Sequence, residues 1–157
     1  MRIACSSAAV LLLALVACSG DQAPTPAVAM PAASAAASTT VGGATLQAST
    51  VAIADLNATV AGRYGIDLAE EGVLLLVTVR DSAGNGIDPG DLRLTATAGT
   101  LAEAPKPLDL RAISTDGMTD YIGVFRAVAP ASVHFRLSAT RSGARADIAT
   151  TAELQPR

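Results

Sequence analysis

Cysteine is missing from most of this 157-residue chain: Cys5 and Cys18 lie near the N-terminus and none follows. A disulfide within anything that folds downstream is excluded, so that part must be held by its apolar core, which about 110 residues can supply. Tryptophan is absent and aromatics make up 3% of residues, as Tyr64, Tyr121, Phe125 and Phe135. So few flat rings argue against a stacking platform for bases or a sugar-binding groove. Basic residues are outnumbered, 14 acidic to 11 basic; if Arg2 leaves with a leader, 10 basic residues remain and the net charge is near −4. Such a balance repels nucleic acid. Half of the residues are hydrophobic and mean hydropathy is +0.42, yet much of this is alanine and the first eighteen residues, so the pattern is not that of a polytopic membrane protein. The length suits one domain.

What is present starts at the N-terminus. Arg2 forms a short positive region, residues 8–16 an apolar one, and the stretch closes on Leu15-Val16-Ala17-Cys18. This resembles a bacterial lipobox. The apolar run is shorter than the roughly 20 residues that span a bilayer core, which favours a cleaved leader over a permanent helix. Leu15, Val16 and Ala17 would be the signal-peptidase recognition residues, with small side chains that allow close approach to the backbone. The thiol of Cys18 would be the nucleophilic handle that takes the lipid. Two or three acyl chains, at about 0.8 kcal/mol per buried methylene, give lasting attachment. Ser19, a non-aspartate after the cysteine, resembles the Gram-negative pattern for sorting to the outer membrane.

The expected organisation is a signal peptide at 1–17, the lipidated cysteine and a disordered stalk at 18–44, and a β-sandwich domain at 45–157. Residues 19–44 are dominated by Ala, Ser, Thr, Pro and Gly, with Asp21 their single charge. As a coil, such a stalk has an end-to-end distance of roughly 25 to 30 Å. Beyond it, short β-rich runs alternate with Gly, Pro, Asp and Asn clusters at about 8–12 residue intervals. The spacing predicts an all-β fold, a small immunoglobulin-like antiparallel sandwich of about seven strands with one short helix near the start of the domain. A first strand is expected near 46–54. Residues 73–80, Val-Leu-Leu-Leu-Val-Thr-Val-Arg, read as a central strand. Alternation marks strands at 92–98, around Leu108 and Leu110, at 119–127, at 133–140 and at 145–154, the last two as a hairpin. The helix is expected at 58–64, capped by Asn57 and ended by Gly65, with Val60 and Tyr64 packing inward.

The run Val60-Ala61-Gly62-Arg63-Tyr64-Gly65-Ile66, the aliphatic strand 74–79, Tyr121-Ile122, Phe125 and Phe135 together resemble the domain of unknown function 4426 family of bacterial exported proteins. The resemblance spans 46–154. Departures stand at Asn57-Ala58-Thr59, where the family tends to have Thr-Pro-Glu, and at 149–154, which lack its Gln-Phe. Most matching positions are core or turn residues, so the resemblance implies a fold and an exported location and carries no reaction.

Candidate sites are few. His134, the single histidine, would serve a Ser-His-Asp relay only if turned inward, and its alternation with Phe135 turns it outward. Asp81, Asn85, Gly86 and Asp88 resemble a calcium loop, but Ala83 and Leu92 stand at its third and twelfth positions, so a turn is expected. Asp67, Glu70 and Glu71 read as a solvated acidic face. Asn57-Ala58-Thr59 matches a glycosylation acceptor, though Asn57 is already committed to capping. Tyr64, Tyr121 and Phe125 are expected in the core. No catalytic residue, metal ligand or cofactor is expected. The reading is a lipid-anchored envelope protein, facing the periplasm from the outer membrane, with a non-enzymatic interaction module that contacts an envelope protein. The alternative is a periplasmic carrier of an apolar small molecule. An enzyme would need Asp81, Asp88, Asp116, Asp120 and His134 to converge.

Overall fold

The computed structural model describes residues 36–156. Nine strands form among them: β1 (Ala36–Val41), β2 (Ala44–Ala52), β3 (Gly72–Arg80), β4 (Arg93–Thr100), β5 (Lys106–Leu108), β6 (Arg111–Thr115), β7 (Met118–Arg126), β8 (Ala131–Arg141) and β9 (Ala144–Leu154). They make two antiparallel sheets, ordered β1-β2-β3-β7-β6 and β5-β4-β8-β9. The fold is an all-β sandwich with one short helix. The aliphatic run at 73–80 is indeed central, paired with β2 on one side and β7 on the other.

Alternation decides which side chains meet. Successive strand residues point to opposite faces, so Val73, Leu75, Val77 and Val79 of β3 turn toward Val133, Phe135, Leu137 and Ala139 of β8, and all eight are buried in one cluster. Phe125 and Phe135 join the sheets edge to face, with ring centroids 6.4 Å apart at 82°. That arrangement sets the positive ring edge against the negative face of its partner.

Two expectations need correction. The composition extends the stalk to residue 44, but from Ala36 onward the chain is strand and turn. Ala36 pairs with Ser49 and Val41 with Ala44, while Gly42 and Gly43, at φ 52° and 79°, make a tight hairpin turn. A Cβ on Gly42 would lie 2.5 Å from the Arg141 carbonyl oxygen, so this turn needs glycine on space as well as on φ. The sequence hid the strand because, before Val41, its residues are only alanine, serine and threonine. The second correction is at Leu108 and Leu110, expected on one strand: here the chain leaves one sheet as β5 and joins the other as β6. The crossing passes over Gly123, whose missing side chain admits Leu108 and the carbonyl of Asp109; a Cβ there would lie 2.9 Å from the Leu108 side chain. β1 and this split raise the strand count above seven.

The remaining burial lies on the outer face of the β3 sheet. Leu74 alternates with core residues, points away from them, and is still only 1% exposed. Its cover comes from the segment between β2 and β3: a 3-10 turn (Ile53–Asp55) followed by α1 (Ala58–Tyr64). Ile53, Ala61 and Ile122 are buried with it. The Asn57 side chain accepts a hydrogen bond from the Val60 amide at 2.8 Å, and Gly65, left-handed at φ 63°, ends the helix. Val60 and Tyr64 are half-buried in this outer layer and not in the main core; Ala61 makes the deepest helical contact. The Arg111 guanidinium donates to the Tyr64 carbonyl, and Arg126 reaches Glu70 at 2.5 Å. These two contacts strap the segment to β6 and β7.

Two substitutions separate the layers. In urea denaturation, Phe135→Ala is expected to lower unfolding free energy by about 3–5 kcal/mol, against about 0.5–2 kcal/mol for Asn57→Ala. A cost for Phe135→Ala no larger than that of the cap would mean the inter-sheet aromatic pair does not hold the sheets together.

Candidate functional site

Leu15, Val16, Ala17 and Cys18 lie outside the described residues. Among the described ones, each candidate carboxylate has a nearer task. The Asp81 carboxylate accepts hydrogen bonds from the Ala83 and Asn85 amides, both at 2.8 Å, and from the Asn85 side chain at 3.1 Å. The Asn85 side chain first, and then the backbone amides, hold its pKa below the ordinary 3.8. The Asp88 carboxylate likewise accepts from the Gly90 amide at 2.8 Å. The loop therefore consists of side-chain-to-backbone turns that bend the chain between β3 and β4. The acidic group at 67–71 also divides: Asp67 accepts from the Ala69 amide at 2.9 Å, Glu70 pairs with Arg126, and Glu71 is exposed. Asp120 pairs with Arg80 at 2.8 Å on the outer face of its sheet.

His134 sits on β8 between Gly99 and Thr151 of its neighbour strands, on the face opposite Phe135, and is half-buried. Its Nδ1 lies 3.1 Å from the Thr151 hydroxyl, while Nε2 is buried without a hydrogen-bond partner. The histidine and the aspartates do not share a cleft: Asp81 and Asp88 lie in the β3–β4 loop, Asp116 in the β6–β7 turn and Asp120 on β7. Among the described residues, no three His, Cys, Asp or Glu side chains group in a way that could hold a metal ion. Tyr121 and Phe125 pack against the core cluster as expected, and burial first, with Asp88 adding to it, raises the Tyr121 pKa above 10.0.

Three of the clefts among the described residues bear on a site. One of about 410 Å³ crosses the outer face of the β8 sheet over Thr97, Arg136 and Asp147. The Asp147 carboxyl is held below its ordinary value by a hydrogen bond from Ser138, with Arg145 contributing. The other two lie at one end of the sandwich, where β2, β4, β7 and β9 finish and β3 and β8 begin. One, about 360 Å³, lies between the loop after β4 and the loop before β8, with Phe125 at its base and Leu101 and Val128 on its rim. Its neighbour, about 450 Å³, is bordered by Asp55, Glu71 and Glu153. Leu101 and Val128 are 83% and 72% exposed. Periodicity could not single them out, because one apolar residue in a loop looks the same whether it turns into the core or out to water.

The family described as Domain of unknown function (DUF4426) matches residues 38–154. The chain belongs to this family. No curated protein matches it. A crystal structure of a DUF4426 family protein from Pseudomonas aeruginosa PAO1 superposes with a TM-score of 0.59 at 16% identity, covering 76% of this chain and 94% of that one. FetP from uropathogenic E. coli strain F11, produced recombinantly in the periplasm of E. coli, gives 0.51 at 12% identity, covering 78% and 95%. At such identities the likeness shows the shared sandwich and nothing of chemistry. The DUF4426 match starts at residue 38, inside β1, in keeping with a fold that begins before residue 45.

The Asp81 turn gives a pH test. Because the folded pKa is depressed, its contribution is complete above the unfolded value of about 3.8 and is lost as pH falls through the folded value. An NMR titration of the Asp81 carboxyl carbon is expected to show a midpoint below 3.8, with the Ala83 and Asn85 amides shifting in the same step. A midpoint at or above 3.8 would take the carboxylate out of that turn.

Proposed function

We propose that this DUF4426 chain is a lipid-anchored envelope protein whose sandwich acts through protein contacts and carries no enzymatic activity. The observation that carries this reading is Leu15-Val16-Ala17-Cys18 closing a short charged and apolar leader, with no further cysteine in the chain. Once a leader ending at Ala17 is cleaved, Cys18 is the single thiol, immediately before a stretch rich in Ala, Ser, Thr, Pro and Gly and then the sandwich. Support for the location comes from the periplasmic production of the FetP neighbour and from Ser19, which suits outer-membrane sorting. No described helix is long and apolar enough to cross a membrane, so in this reading attachment falls to the acyl chains.

The non-enzymatic part of the reading is supported by how the polar groups are used. Asp81, Asp67 and Asp88 hold backbone turns, and Glu70 and Asp120 are in ion pairs. The carrier alternative needs an apolar chamber between the sheets. There Phe125 and Phe135 meet edge to face and β3 and β8 side chains fill the space, which favours the interaction module.

Intact mass and membrane fractionation of natively expressed protein, compared with Cys18→Ser, test the anchor. Wild type is expected to carry diacylglyceryl and acyl mass on Cys18 and to sediment with outer membrane, while the variant remains soluble or keeps its leader. A soluble, unmodified wild type would reduce the lipobox to the end of an ordinary leader.

A further inference from the structure

The two most exposed large apolar side chains of the described residues, Leu101 at 83% and Val128 at 72%, stand on the rim of one cleft. The chain reaches the sandwich at the same end. Ala36, the first residue of β1, pairs with Ser49, and β2 runs on from there to finish at Ala52. Ala52 borders the neighbouring cleft together with Ala127, and Ala127 also lines the cleft of Leu101 and Val128. β1 runs away from this end, so the described chain enters the sandwich here. The Gly42-Gly43 and Ser142-Gly143 turns are at the opposite end, across strands of up to 11 residues, or about 36 Å.

We propose that, in the lipid-anchored protein, this end faces the bilayer and that Leu101 and Val128 seat in the phospholipid headgroup region. The inference rests on the anchor reading and adds an orientation to it. Cys18 lies only 18 residues before Ala36, a reach of at most about 60 Å, so acylation keeps this end of the sandwich within that distance of the surface. Two apolar side chains on neighbouring loops are too little for a stable protein interface, which buries about 800 Å² per partner, but they suit shallow insertion beside a tether. Lys106 and Arg126, with side chains 66% and 74% exposed, flank the same loops and have stems long enough to lie along headgroups. They are paired with Glu103 and Glu70, so little net charge is carried toward the lipid. Asp55, Glu71 and Glu153 gather around the adjoining cleft. The contact is therefore one-sided: the loops after β4 and before β8 go down, and the acidic side stays in water.

With no cysteine after Cys18, single labels are clean. Leu101→Cys, Val128→Cys, Glu71→Cys and Ser82→Cys, each made in the acylated protein and labelled with an environment-sensitive nitrobenzoxadiazole, are reconstituted in phosphatidylethanolamine–phosphatidylglycerol vesicles. Labels at 101 and 128 are expected to shift to the blue and to be quenched by nitroxide-bearing lipid, while those at 71 and 82 stay in water. Equal emission at all four sites of acylated, vesicle-bound protein overturns the orientation and leaves the anchor standing. Because the label is itself apolar, a second reading places it at Ala102→Cys with Leu101→Ser and Val128→Ser. The blue shift seen in the otherwise unaltered Ala102→Cys protein is expected to vanish, and its persistence would mean that these two side chains are not the contact. Intact mass is read on the same samples, and absence of lipid on Cys18 overturns both the anchor and the orientation.

Discussion

Burial between the two sheets is the constraint on which the rest of this protein depends. With no disulfide available, the sandwich is held by Val73, Leu75, Val77 and Val79 against Val133, Phe135, Leu137 and Ala139. Their burial removes apolar surface from water at roughly 25 cal/mol per Å², and it works only while the register of β3 and β8 keeps each set turned inward. A slip of one residue would send Leu74, Leu76 and Thr78 into the core and the valines out. Four pairings restrain these strands, β3 through β2 and β7 in one sheet and β8 through β4 and β9 in the other. The edges can therefore consist largely of small or polar residues, with Val41 in β1 and Ile113 in β6 as the larger apolar ones.

The two outer faces are treated differently. The β8 sheet shows water Arg93, Thr95, Arg136, Thr140 and Asp147, in keeping with an antiparallel sheet that has one wet side. The β3 sheet carries Leu74 and Leu76 outward, and the chain spends the residues between β2 and β3 covering them. α1 is only seven residues long, too short to be stable alone; its cap, its buried Ala61 and the Arg111 and Arg126 straps keep it in place. Where the family resemblance is densest, at 60–66, the residues thus serve this cover, which explains why matching them identifies a fold and no reaction.

The ends of the sandwich differ in kind as well. At the far end Asp81, Asp88 and Asp91 organise backbone: Asp91 accepts from the Ser142 amide at 2.9 Å, so the β3–β4 loop is tied to the β8–β9 turn. At the near end the loops are apolar at their tips and acidic at their side. In the proposed orientation the apolar loop tips face the bilayer and the polar, hydrogen-bonded turns face away from it.

Much of this was legible in order along the chain. The central strand at 73–80, the terminal hairpin, the helix with its Asn57 and Gly65 limits, and the outward face of His134 all follow from periodicity and end signals, because those depend on neighbours three or four residues away at most. The proposed lipobox, Leu15 to Cys18, is equally a pattern of adjacent residues. β1 is not legible in the sequence, because Ala, Ser and Thr alternate too weakly to signal a strand, and it is a strand only because β2 lies beside it. The split at Leu108 and Leu110 depends on Gly123 being empty underneath, and the depth of Leu74 depends on Ile53 and Ala61 folding back. Sequence alone determined most of the elements and the absence of any cysteine framework from the sandwich. Which apolar residues are core, cover or exposed tip was decided only by tertiary structure, since solvent exclusion is a property of surfaces brought together from distant parts of the chain.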